Sequence, residues 1–307
     1  MNRLAGIIIA AVGLIITLLG ALKIVPGVTQ TGIFLILFGG LVFGLSFIKK
    51  PDTEGVPRMS TGETLLNIFV SPAETFQNLR RHPRWLVAAL VIAFLSTIFT
   101  NLFLYRLTPE RVANFTIDKT LEMPIMNDQA RQQVEAGRQN AIDQTKDPVL
   151  KVGQAVSGFA GNTFKYAFYA LIFLTFGLVM GGRINFWQAF SVAVYSAFPV
   201  AVIHSVLSSI ILFLKDPDDI HPILGQSNLV QDNLGFLFSP SATPVLYTLV
   251  SHISILWFYW IWLTATGLKN AGERVSGSTA WAIALSLFGL LLVVAVVSSY
   301  LFSGFIS

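Results

Sequence analysis

Residues Thr279–Phe302 read TAWAIALSLFGLLLVVAVVSSYLF, an apolar run without one acidic or basic side chain. A hydrocarbon core about 30 Å thick takes about 20 such residues wound as a helix, so this stretch is long enough to cross a membrane. Working back from it, six more stretches approach or exceed that length: Leu4–Leu22, Thr31–Ile48, Trp85–Leu104, Phe164–Met180, Phe186–Leu214 and Val245–Leu268. The expected fold is all-α: a polytopic integral membrane protein with seven transmembrane helices.

Composition agrees. Apolar residues make up 54% and charged residues 12%, about half the charged share of a soluble domain. The absence of cysteine excludes disulfides, thiolate metal sites and cysteine nucleophiles. The net charge of +4 follows from basic loops on one side of the membrane; no basic stripe interleaved with aromatics points to nucleic acid. Arg3 followed by an apolar run has the outline of a signal peptide, but Lys23 and Pro26 follow directly without a small-residue cleavage site, so the first span is read as a retained helix.

Basic residues set the expected orientation. Arg3 precedes the first span, and Lys49, Lys50, Arg58, Arg80, Arg81 and Arg84 follow the second; alternation puts Arg183, Lys269 and Arg274 on the same side. That side is cytoplasmic by the positive-inside rule, with the amino terminus inside and the carboxyl terminus outside. The long opposite loop, residues 105–161, balances seven Lys and Arg against seven Asp and Glu, and loops of that length cross largely regardless of charge.

Three segments follow: a two-helix hairpin over 1–50, a cytoplasmic linker over 51–63, and a domain over 64–307 with spans near 85–104, 164–180, 186–214, 245–268 and 279–302. In the hairpin Gly6, Gly13 and Gly20 recur every seven residues, and Gly40 with Gly44 forms a G-x-x-x-G, as Gly177 with Gly181 does later; such spacing lets helix backbones approach closely. Between linker and third span, Leu65, Phe69, Pro72, Phe76 and Leu79 fall on one helical face. Ser71, Pro72 and Glu74 read as the cap, first position and third position of an amphipathic helix over 72–81. This stretch is expected at the membrane interface, with Arg80 and Arg81 near anionic headgroups; its apolar face serves equally well to pack on the protein's own helices. In the outer loop Thr108-Pro109, Asn127-Asp128 and Asp147-Pro148 each start a helix, and Glu135 with Arg138 and Asp143 with Lys146 are opposite charges three apart. Spans four and five, joined through Gly181-Gly182-Arg183, parallel spans six and seven, joined through Gly272-Glu273-Arg274, as a weak parallel repeat.

The run Leu65-Leu66-Asn67-Ile68-Phe69-Val70-Ser71-Pro72-Ala73-Glu74-Thr75-Phe76, continuing through Leu79 and Pro83-Arg84-Trp85, resembles the start of the Ypt-interacting (Yip) domain in its prokaryotic form. Gly181-Gly182-Arg183-Ile184-Asn185-Phe186-Trp187-Gln188-Ala189, followed by Tyr195 and Pro199, looks like the same family's fourth-to-fifth-span region. The resemblance covers about residues 61–307 and implies five spans with the amino end cytoplasmic. Eukaryotic relatives interact with Rab-type small GTPases and with one another in vesicle formation and membrane shaping. This chain lacks their long soluble amino-terminal region and Asp-Leu-Tyr-Gly-Pro motif, so small-GTPase binding is not carried over.

Ionisable groups at membrane depth are functional candidates by default. His204, five residues after Pro199, and His252, in Thr248-x-x-Ser251-His252, form a proton-sensitive pair if they face each other; otherwise each bonds a nearby carbonyl or hydroxyl and fixes packing. There is no H-E-x-x-H, no G-x-S-x-G and no carboxylate within a span, which argues against an enzyme; no cofactor or metal is expected. Trp257, Tyr259, Trp260 and Trp262 read as an interfacial aromatic belt, and Asn114-Phe115-Thr116 is a glycosylation sequon only in a eukaryotic cell. The expected role is non-catalytic: organising or shaping membrane, or scaffolding membrane-protein partners. The lipid bilayer is the main partner, other membrane proteins or self-association the next. The alternative is a small-solute or ion transporter with a polar path near His204 and His252.

Overall fold

The computed structural model describes residues 3–49, 51, 55, 57–123, 126–227 and 229–302; Lys50 lies outside them. Among the described residues all regular structure is helical. In chain order the α-helices are α1 Arg3–Ala21, α2 Thr29–Leu45, α3 Thr61–Val70, α4 Pro72–Arg81, α5 Leu86–Leu107, α6 Pro109–Leu121, α7 Asp128–Ala136, α8 Arg138–Lys146, α9 Pro148–Val179, α10 Phe186–Leu214, α11 Pro244–Ser251, α12 Ile255–Ala271 and α13 Gly277–Leu301. Five of them (α1, α5, α9, α10 and α13) are long and apolar enough to cross a membrane, and α2 is a shorter apolar helix. The chain forms two compact units. The first comprises Met1–Phe94, Asp147–Pro199 and Trp262–Ala284; the second comprises Leu95–Lys146, Val200–Ile261 and Leu285–Ser307.

In the first unit the α1–α2 hairpin closes on glycine. Gly6, Gly13 and Gly20 are all buried. A Cβ on Gly6 would stand 2.9 Å from the Gly39 carbonyl oxygen, and one on Gly13 would stand 2.8 Å from that of Gly32. The facing glycines are therefore Gly32 and Gly39, not the expected Gly40 and Gly44, where an added Cβ meets nothing within 4 Å. Gly177 approaches Ile184 rather than a neighbouring helix. Gly181 ends α9 with φ +79; the Gly182 N–H then returns to the Gly177 carbonyl at 2.8 Å, the hydrogen bond of a glycine C-cap. The other face of α2 packs Phe38 and Val42 on Ala160 of α9.

The turns after α9 and α12 pair with each other. Arg183 and Glu273 exchange both backbone hydrogen bonds at 2.5 Å, forming an isolated antiparallel bridge. The two turns compared in the sequence thus meet in the fold. Asn185 and Gln188 cap α10 reciprocally, each side-chain oxygen accepting the other residue's backbone N–H, at 3.0 and 2.9 Å.

The second unit buries Phe99, Phe103 and Leu107 of α5 against Leu212 of α10, Ile220 and Leu229. The three predicted helix starts form: Thr108, Asn127 and Asp147 each accept a backbone N–H at the first turn of α6, α7 and α9. Arg138 pairs with Glu135 as expected and also with Asp118. Lys146 differs, meeting Glu110 on α6 at 2.5 Å rather than Asp143, because packing of α8 on α6 offers it a tertiary partner.

The sixth expected span, 245–268, is not one helix. It breaks at His252–Ser254 into α11 and α12. The Ile255 N–H bonds the Asp232 carbonyl at 3.3 Å, and the Leu256 N–H bonds the Asp232 carboxylate at 2.9 Å. These donors, which would continue the α11 ladder, go instead to the preceding loop, and α12 starts afresh.

Candidate functional site

Two short helices, α3 and α4, precede the α5 span, and α4 has the bounds expected of the amphipathic helix. α3 opens with a capping box: the Ser60 hydroxyl accepts the Glu63 N–H and the Glu63 carboxylate accepts the Ser60 N–H, both at 3.1 Å. The S-x-x-E pattern at Ser60–Glu63 is the helix-start signal that corresponds to it. Ser71 itself makes no side-chain cap; Pro72 takes the first position of α4 and Glu74 lies in its first turn.

α4 is amphipathic as expected, but its apolar face is spent inside the protein. Phe76 and Leu79 have no exposed surface, and a Cβ on Gly267 of α12 would lie 3.0 Å from the Phe76 ring. Insertion of Phe76 and Leu79 among headgroups is therefore corrected to packing on the protein's own helices. Polar contacts explain why α4 seats there. Gln77 donates to Asn270 at 3.1 Å, Gln188 donates to the Arg80 carbonyl at 3.0 Å, and Arg80 meets Glu273 at 3.1 Å. The buried Asn78 donates to the Pro57 carbonyl at 2.9 Å and accepts the Met59 N–H at 3.3 Å. Arg84 donates to the Met59 carbonyl at 2.6 Å. The Arg80 guanidinium holds the Glu273 carboxyl below the usual carboxylate range, and burial pulls the Arg84 guanidinium below its own. Arg81 is partly buried.

The element that does present apolar surface is α3. Its Thr64 and Ile68 face the protein, while Leu66 and Val70 are 71% and 77% exposed. Phe69, one turn from Leu66, packs edge-on against Phe198 with centroids 5.9 Å apart. Phe198 stands twelve residues along α10, about 18 Å from its start at 1.5 Å per residue, within the membrane-crossing length of that helix.

The second unit holds the two histidines, each with partners of its own. His204 Nε2 meets the Ser227 carbonyl at 3.1 Å and its Nδ1 meets the Ser208 hydroxyl at 3.4 Å. His252 Nδ1 meets the Thr248 carbonyl at 2.7 Å and its ring lies 5.3 Å from that of Trp257. A ring nitrogen facing a carbonyl is the donor, so each ring is tied to a backbone carbonyl of its own neighbourhood. The residue that the sequence did not mark is Asp232. Its carboxylate accepts from the Ser254 hydroxyl at 2.7 Å and from the Leu256 N–H, and no local pattern joins residues 22 apart.

Together these features define a multi-pass, all-helical integral membrane protein in whose first unit the short helix α4 is seated on α10, α12 and the Glu273 turn. The Yip1 domain family matches residues 66–298, and the chain belongs to that family. The matched region begins inside α3, leaving the α1–α2 hairpin ahead of it. The sequence matches no curated protein and no solved structure.

Proposed function

We propose that this protein organises or shapes its membrane, or scaffolds other membrane proteins, without catalysing a reaction. The observation that carries the reading is the exposed apolar face of α3. Leu66, Phe69 and Val70 fall at i, i+3 and i+4, on one side of a helix whose other side is buried. α3 is followed by α4 and then by a span, so its apolar face enters the lipid of one leaflet only. α4 is the brace: Phe76, Gln77 and Arg80 fix it to α10, α12 and the Glu273 turn, and so fix the angle at which α3 meets lipid. By the basic-residue count that leaflet is the cytoplasmic one, with the amino terminus inside and the carboxyl terminus outside; the resemblance to the prokaryotic form of the family implies a prokaryotic cytoplasmic membrane. The two-helix hairpin joins the Yip1 domain as an added anchor.

The test is to reconstitute the double variant Leu66→Asp, Val70→Asp beside the wild type. Loss of liposome deformation or of partner recovery, with thermal stability in detergent retained, supports the reading. Unchanged behaviour in both assays rejects α3 as the contact. The transporter alternative takes its support from the break between α11 and α12, since carriers use interrupted helices at their binding sites. Solute flux into proteoliposomes that disappears in His204→Ala, His252→Ala would replace the organising role with transport.

A further inference from the structure

We propose that the stretch from Leu234 to Ser251, a 3-10 turn at Leu234–Leu237 followed by α11, is a lipid-contacting surface seated in the leaflet on its own side of the membrane.

Charge is the first argument. No Asp, Glu, Lys or Arg occurs from Asn233 to Leu268, yet α12, 17 residues long, begins only at Ile255. The residues ahead of α12 are thus as free of charge as a span although they form no span. The preceding stretch contrasts with them, carrying Lys215, Asp216, Asp218, Asp219 and Asp232 within eighteen positions.

Exposure is the second. The 3-10 turn packs on α11, and the two elements present Leu234, Phe236, Leu237, Leu246 and Leu249 outward, with Phe236 and Leu237 at 62% and 63%. Soluble surfaces rarely gather so many large apolar side chains in one place. The patch is continuous in sequence with Ile255 and Phe258 of α12, both exposed.

Backbone satisfaction is the third. The first three N–H groups of α12 all find protein acceptors: Ile255 the Asp232 carbonyl, Leu256 the Asp232 carboxylate, and Trp257 the Ser254 hydroxyl at 3.1 Å. A helix start in water can leave such donors to solvent or to a side-chain cap; where water is excluded they must be met from within, and here they are. Asp232 therefore works as the polar plug that allows a helix to begin at the edge of hydrocarbon.

The chain has no cysteine, so single-cysteine variants can be spin-labelled in the full-length protein in proteoliposomes. Phe236→Cys and Leu249→Cys are compared with Val293→Cys, exposed on α13, and Gln132→Cys, exposed on α7. The expected result is an oxygen-to-nickel-chelate accessibility ratio at 236 and 249 that approaches the value at 293 and exceeds that at 132. A ratio like that at 132 would overturn the proposal by placing the patch in water. Low access to both probes at 236 and 249, with 293 still open to oxygen, would overturn it in favour of a protein partner or a second copy of this chain.

Discussion

α4 encloses the apolar side chains Phe76 and Leu79, whereas α11 leaves Leu246 and Leu249 exposed. α4 carries Glu74, Gln77, Arg80 and Arg81 in ten residues and looks like a helix lying at a surface, yet its apolar stripe is wholly enclosed. α11 is PVLYTLVS, part of what reads as a membrane span, yet none of its residues is buried. Hydrophobicity states what a segment does with water, not which neighbour takes water's place. For α4 the neighbour is supplied by side-chain hydrogen bonds to Asn270, Gln188 and Glu273, which seat the helix and bury Phe76 and Leu79 beneath it. α11 has fewer such handles, and the loop that would cover it sends its own Leu234, Phe236 and Leu237 outward.

The largest expected effect breaks this contrast at its apolar contacts. Phe76→Ala removes a fully buried ring against Gly267 and should destabilise the protein by about 3–5 kcal/mol; Leu79→Ala should cost about 2–5 kcal/mol. Phe236→Ala and Leu249→Ala, at exposed positions, should stay within about 0.5 kcal/mol in detergent. Melting temperatures of the four variants decide it. A loss at Phe236 equal to that at Phe76 would show the outer patch to be buried, and the two regions would no longer differ.

The parts of the fold that local chemistry determines were legible in the sequence. Apolar length marked the spans, Thr108, Asn127 and Asp147 marked their helices by capping, and the seven-residue glycine period of α1 marked its contact face. The partner face on α2 was missed by one position. Gly39 and Gly40 are neighbours, and one residue turns a helix by about 100°, so the four-residue spacing of Gly40 and Gly44 selects the exposed side while the seven-residue spacing of Gly32 and Gly39 selects the contact. The break before α12 was not legible because its cause, Asp232, is 22 residues from Ser254 and is brought there by the fold. Part of the brace was legible without its purpose. Asn185, Trp187 and Gln188 stood out as a family-like run, and the fold shows why: Gln188 caps α10 through Asn185 and holds the Arg80 carbonyl, while the Trp187 indole donates to the Ile48 carbonyl at 3.0 Å.

Asp232 offers a smaller and sharper test. Asp232→Ala removes the acceptor of both the Ser254 hydroxyl and the Leu256 N–H, and loss of a capping side chain costs about 0.5–2 kcal/mol. Asp232→Asn keeps an oxygen acceptor and should recover most of the loss. Thermal stability should therefore rank wild type first, Asn next and Ala last. Equal losses for Asn and Ala would mean that the charge, not the cap, is what α12 requires, and would move this region away from the lipid-facing reading towards an ionic one.

The smallest effect lies in the brace. Arg80 and Glu273 are 3.1 Å apart with side chains 33% and 45% exposed, and a pair so open to solvent contributes about 0–1 kcal/mol. Its sign with pH is nevertheless fixed. Arg80 lowers the Glu273 carboxyl from its ordinary 4.5, so the folded state binds that proton less readily than the unfolded chain. The contribution is complete above the ordinary value and fades as pH falls through the lowered one. The stability difference between wild type and Glu273→Gln should then be constant from pH 7 down to about 5 and shrink below about 4.5, and salt should reduce it throughout. The backbone bridge between Glu273 and Arg183 does not titrate, so the two turns stay joined while the side-chain contact fades. A difference that grows on acidification would mean that Glu273 is held by burial rather than by Arg80, and α4 would then be fixed by Phe76, Gln77 and the Gln188 contact alone.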